Sequence, residues 1–232
     1  MICQYHIILD LMNNYNKILI LHALDKSTNF LSVYKEEFKN YYFSFNSEQE
    51  SLNNAKSLLG NLEPKSLIIY LGHGSSSGLY EPDDSHSYER YFLDATWGNH
   101  FFDEHDIFLL SCKSNDYIKK IYKANSSIGF GNIISSKFEL DHHNESNSLK
   151  IPLHQSDIDR FNEIYVNSSI KVIKKLVNNE IYFFDVPKYL RFMINSDINQ
   201  LLLDKNNSNR LHFSRLLFDF RNEFLYKKNP KA

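Results

Sequence analysis

The chain has 232 residues, 42% of them hydrophobic and 23% charged, with a formal net charge of −2 at pH 7. That length fits one domain with an extension, or two small ones, and suffices to bury a core without disulfide staples. The near-neutral charge gives nucleic-acid binding no bulk electrostatic support, and no apolar run approaches the roughly 18 residues of a membrane span.

The opening stretch, MICQYHIILDLMNN, lacks a basic segment and a small-residue cleavage site, so a secretory signal is not expected there. Only two cysteines occur, Cys3 and Cys112, too few for a disulfide framework. Reduced thiols and a cytoplasmic protein are the expectation.

Residues 17–23, KILILHA, predict a first buried strand, with Asp25, Lys26 and Ser27 turning out of it. Phe30, Leu31, Tyr34 and Phe38 fall on one helical face, and residues 41–45 predict a second strand. Ser47 to Glu50 have the character of a helix N-terminus, and that helix ends near Gly60. After Pro64, the apolar run Leu67-Ile68-Ile69-Tyr70-Leu71 breaks into Gly72-His73-Gly74. Residues 75–91 are polar and predict a hairpin or flap, while residues 91–102 around Trp97 suit either a strand or a helix.

A second run, Ile107-Phe108-Leu109-Leu110, ends in Ser111-Cys112, and Ser114 or Asn115 can cap a helix over 116–123. Residues 127–134 predict another strand, and residues 139–150 a polar loop. Beyond Pro152 the apolar spacing is helical over 157–176, 187–203 and 210–226. Alternating strands and helices argue for βαβ units and a parallel sheet.

In such sheets chemistry sits beyond the carboxyl ends of the strands. His73 and Cys112, 39 residues apart, are thereby expected at one edge. A cysteine nucleophile works as its thiolate and needs a base to reach it, and histidine titrates where such a base is useful.

A buried strand ending in His-Gly, followed by a second ending in a small residue and Cys, resembles the caspase-like (clan CD) cysteine peptidases. These include caspases, legumain, gingipain, separase and the bacterial CHAT-domain proteases. The resemblance covers roughly residues 17–135. It implies an α/β caspase-like (caspase–hemoglobinase) sandwich with a mostly parallel sheet in residues 1–150, to which the helical spacing beyond Pro152 adds a helical extension over 151–232 packed on it. It implies a cysteine endopeptidase with Cys112 as nucleophile, His73 as base, and the backbone N–H groups of Gly74 and Cys112 as oxyanion donors. No orienting carboxylate, cofactor or metal is implied.

Small bacterial members act in stress or anti-phage modules, so the implied partners are a protein substrate and a regulatory or sensor protein. These enzymes select the residue before the scissile bond. Between Leu67 and Lys150 the only arginine is Arg90, among many acids. A basic residue is therefore expected at that position, with Glu139 and Asp141 as the pocket acids.

Two rivals stand beside this. Gly74-Ser75-Ser76-Ser77-Gly78 matches the G-x-S-x-G elbow of an α/β-hydrolase-type serine esterase with Ser76 as nucleophile, but the following GLYEPDD does not predict the helix that motif needs. The other is a catalytically inactive caspase-like interaction module. Asp141-His142-His143 matches the tripeptide of the DHH phosphoesterases without their further Asp-rich motifs, and no metal is expected.

Overall fold

A computed structural model of the chain describes residues 15–146, 150 and 152–230. The opening stretch with Cys3, and residues 147–149 of the expected polar loop, lie outside them.

The centre is a six-stranded sheet made of β1 (Ile18–Ala23), β2 (Tyr42–Phe45), β3 (Leu67–Leu71), β7 (Asp106–Leu110), β8 (Ser126–Gly129) and β9 (Leu225–Lys228), in the order β2-β1-β3-β7-β8-β9. Every pairing is parallel except that of β9 with β8. All five residues of β3 are buried, as continuous apolar runs require when both faces of a parallel sheet are covered.

Alternation along the strands divides the core in two. Ile20, Ile69, Phe108 and Ile128 face one side, together with α1 (Val33–Glu37), α6 (Gln155–Val177), α7 (Val186–Leu203) and α8 (Arg210–Glu223). Leu21, Ile68, Tyr70 and Leu109 face the other, over α2 (Gln49–Gly60) and α4 (Ser114–Tyr117). The chain is thus α/β, a mostly parallel sheet between helical layers. Among the described residues, no helix is long and apolar enough to cross a membrane.

Three expectations change. Residues 210–226 do not form one helix: α8 stops at Glu223, and after Phe224 the residues Leu225–Lys228 pair antiparallel with β8, Gly129 opposite Leu225. The C-terminal segment therefore supplies the sheet's last strand as well as helices. Residues 139–146, the first part of the expected loop, are helical instead, because α5 spans Lys137–Ser146. Ser136 Oγ accepts the Glu139 N–H at 3.2 Å, and Glu139 Oε2 accepts the Ser136 N–H at 3.2 Å. That is a reciprocal capping box, and it starts a helix that polar composition alone does not suggest. The helix expected over 116–123 is one α turn, α4, followed by a 3-10 turn at Ile118–Lys120.

Between β3 and β7 a small antiparallel sheet forms from β4 (Gly74–Ser75), β5 (Gly78–Tyr80) and β6 (Tyr91–Asp94), followed by α3 (Ala95–Phe101). Residues 91–102 are thus strand and then helix. Asp94 makes the change, its side chain accepting the Trp97 N–H at 2.9 Å.

Candidate active site

The carboxyl ends of β1, β3 and β7 converge on one small cavity of about 180 Å³. His73 and Cys112 both line it, with Gly74, Ser27, Tyr80, His86, Tyr88, Phe138 and Glu139 around them. β3 and β7 are register neighbours, Leu71 opposite Leu110. Residues just past each strand are therefore brought side by side.

Two glycines make this approach possible. At Gly72 (φ +155°) a Cβ would sit 2.9 Å from both Ala23 Cβ and the Tyr70 hydroxyl. A Cβ on Gly74 would meet Ser111 Oγ at 2.8 Å and the Cys112 carbonyl oxygen at 3.1 Å. Only a residue without a side chain lets the His73 turn lie against the Cys112 turn.

Cys112 is aimed by a strapped turn. Lys113 adopts the left-handed conformation (φ 53°) and its N–H donates to Gly131 O at 2.8 Å. Ser114, fully buried, donates its hydroxyl to Leu109 O and Ser111 O at 2.7 and 2.8 Å, and accepts the Phe130 N–H at 2.8 Å. The Cys112 thiol donates to Ile133 O at 3.0 Å, and its sulfur accepts the Ile133 N–H at 3.4 Å. Burial foremost, then the Glu139 carboxylate, pushes the thiol up to about 12. At rest it is a protonated thiol.

His73 is also kept neutral, chiefly by burial; Glu139 and Asp25 pull its pKa up, and His86 pushes it down. Its ring lies 4.4 Å from that of Tyr88, centroid to centroid. Ser27 Oγ is 2.6 Å from Nε2, Asp25 Oδ1 lies 4.0 Å from Nε2, and Glu139 Oε1 is 3.9 Å from Nδ1. A buried carboxylate therefore stands beside the imidazole, where the resemblance implied none.

The structure brings His73, Gly74, Cys112 and Glu139 together. It does not bring in Asp141, whose half-exposed carboxylate pairs with Lys137 one turn back on α5 at 2.8 Å. Glu139 is itself spoken for in part: Oε2 accepts from Ser135 N, Ser135 Oγ and Ser136 N. Ser76 lies in the turn between β4 and β5, with Ser75 paired to Gly78, so a strand and not a helix follows it.

Asp25, Ser27, Tyr88 and Phe138 are site residues that the sequence did not single out. One signal was present: Asp25-Lys26-Ser27-Thr28, a turn-forming run just past the end of a buried strand, which should face the same edge as His73. The chain matches no protein-family model, and no curated protein or solved structure is significantly similar to it.

Proposed function

We propose that this chain is a caspase-like cysteine endopeptidase in which Cys112 attacks the peptide carbonyl and His73 moves the proton. The observation that carries the reading is the shared cavity. A thiol and an imidazole, delivered by adjacent parallel strands, line one cavity, and the missing side chain of Gly74 lets their two turns lie against each other. Sheet order, the small flap sheet after β3 and the chain order of His73 and Cys112 are compatible with that family.

In the first step the Cys112 S–H bond breaks, its proton passes to His73, and sulfur bonds to the carbonyl carbon. Negative charge on the carbonyl oxygen is taken by the backbone N–H groups of Gly74 and Cys112. The C–N bond then breaks, and the imidazolium returns its proton to the leaving amine. Water, deprotonated by His73, cleaves the thioester and regenerates the thiol.

A thiol held near 12 and bonded to Ile133 describes a resting state. His86 of the flap and Phe138 of α5 stack 6.1 Å apart beside the cavity, between two segments a substrate has to part. Such a site fits control by a regulatory or sensor protein acting on a protein substrate.

The Glu139 carboxylate at the cavity favours a basic residue before the scissile bond. Asp141 takes no part in that. The esterase alternative would need Ser76 on a strand-to-helix turn.

The deciding experiment is labelling with a peptidyl acyloxymethyl ketone and with a fluorophosphonate. Modification of Cys112 and cleavage of a peptide library are expected. Labelling of Ser76 would establish the esterase instead, and labelling of neither the inactive module.

A further inference from the structure

The turn leaving β1 holds a buried carboxylate and a hydroxyl that the Cys112–His73 chemistry does not itself need. Asp25 Oδ1 accepts the Ser27 and Thr28 N–H groups at 2.9 and 3.0 Å, and Oδ2 accepts the Asp83 N–H at 3.2 Å. Its side chain is only 2% exposed. Ser27 Oγ lies 2.6 Å from Asp25 Oδ1, 2.6 Å from His73 Nε2 and 3.0 Å from the Tyr88 hydroxyl.

Counting hydrogens fixes the direction of this chain. A carboxylate surrounded by N–H donors has no proton to give, and a serine hydroxyl has one. That one goes to Asp25, so Ser27 Oγ accepts in its other two contacts. Tyr88 donates its O–H to Ser27, and His73 donates from Nε2. In a neutral ring with Nε2 protonated, Nδ1 carries the lone pair. Nδ1 is the nitrogen turned toward Glu139, a lining residue of the cavity that also holds Cys112.

We infer that Asp25 and Ser27 form a positioning relay that fixes His73 as its Nε2–H tautomer, making Nδ1 the atom that takes the Cys112 proton. The inference rests on the peptidase proposal for its chemical consequence. In the step itself the S–H bond breaks and an N–H bond forms at Nδ1, while Ser27 and Asp25 keep the protons they have. The resulting imidazolium lies 4.0 Å from Asp25 and 3.9 Å from Glu139. Further titratable groups around the ring include Tyr70, whose hydroxyl donates to the His73 carbonyl oxygen at 3.3 Å, Tyr80, His86 and Tyr88, and Cys112 itself. Neither Asp25 nor Ser27 is assigned contact with substrate. Their part is orientation, as outer partners of a functional histidine commonly provide.

Long-range ¹H–¹⁵N spectra of the uniformly labelled protein near pH 7.5 read the tautomer directly, with His73 assigned by comparison with His73→Gln. A protonated Nε2 and a bare Nδ1 are expected. Ser27→Ala should mix the tautomers and lower kcat about tenfold to a hundredfold with KM changed less than about threefold. Ser27→Thr, which keeps the hydroxyl, should restore both readouts.

A proton on Nδ1 in the wild type overturns the relay, as does a Ser27→Ala protein with unchanged tautomer and kcat. Should Ser27→Ala not fold, the wild-type spectrum alone decides. The assigned tautomer in a protein that cleaves no peptide would remove the peptidase proposal and leave the relay. Peptide cleavage with Nδ1 protonated would remove the relay alone.

Discussion

His22 and His73 stand near the ends of adjacent strands, and their surroundings differ most sharply at Nδ1. His22 lies in β1 opposite Leu71 of β3, two residues short of His73. It is fully buried, donates from Nε2 to the Thr28 carbonyl at 3.1 Å, and takes the Tyr42 hydroxyl proton at Nδ1, 2.6 Å away. His73 likewise has Nε2 anchored, to Ser27. Its Nδ1 has instead a carboxylate 3.9 Å off and a cavity shared with a thiol. Burial holds both rings neutral. A histidine with both nitrogens consumed can only hold the fold together, whereas one with a spare lone pair at a cavity can move a proton.

The broadest test of that contrast is to remove each partner of the reactive pair. Cys112→Ala and His73→Ala should each lower peptide cleavage by about a thousandfold or more, while circular dichroism and the melting transition stay close to wild type. Cys112 contributes two sulfur contacts to Ile133, worth about 1 kcal/mol together. Either variant retaining more than a tenth of wild-type cleavage would remove its residue from the mechanism.

His22 should show the converse, an effect on stability and none on turnover. Burial lowers its pKa to about 4, against the opposing effects of the Thr28 carbonyl and Asp25. An unfolded histidine titrates near 6.5, so as pH falls the unfolded chain takes up this proton first. The stability linked to His22 is therefore complete above about pH 6.5 and is lost progressively toward about pH 4. Between pH 7 and pH 5 that loss is about 2 kcal/mol. Urea denaturation of wild type and His22→Gln at both pH values measures it. The variant should lose less on acidification, whatever its absolute stability, and its kcat should stay within about threefold of wild type. Parallel pH dependences would show that His22 is not held neutral.

How much of this was legible in the sequence depends on how far apart the interacting residues are. Continuous apolar runs identify β1, β3 and β7, and the strand-end rule for parallel sheets puts His73 and Cys112 at one edge. Local signals sufficed there. The Asp25–Ser27–His73 contact joins residues 46 positions apart, and no periodicity encodes which turn residue reaches which ring. β9 was hidden because Leu225 and Tyr226 continue the apolar spacing of α8. What makes them a strand is the open edge of β8, a tertiary fact. The start of α5 is encoded locally, since Ser136 and Glu139 have the capping-box spacing, but the polar residues that follow give it no apolar face to mark a helix. Once α5 exists, its cap places the Glu139 carboxylate at the cavity, and its next turn carries Asp141 away from it.

The finest test of the comparison concerns that carboxylate, because Glu139 acts on both members of the pair in opposite senses. It pulls the His73 pKa up and disfavours the Cys112 thiolate. Glu139→Gln removes the charge and keeps the N3 cap, since glutamine serves a capping box as glutamate does. Without the charge the thiolate forms more readily. Iodoacetamide should then alkylate Cys112 several-fold faster at pH 8, its pH profile displaced to lower pH. Cleavage should move the other way, falling several-fold, because the imidazolium formed in the first step loses one of its two flanking carboxylates. Alkylation and turnover moving in opposite directions is the signature of a carboxylate that restrains the resting thiol yet supports the working imidazole. If both fell together, the variant would have disturbed α5 itself. If neither moved, the carboxylate would have no electrostatic hold on the site.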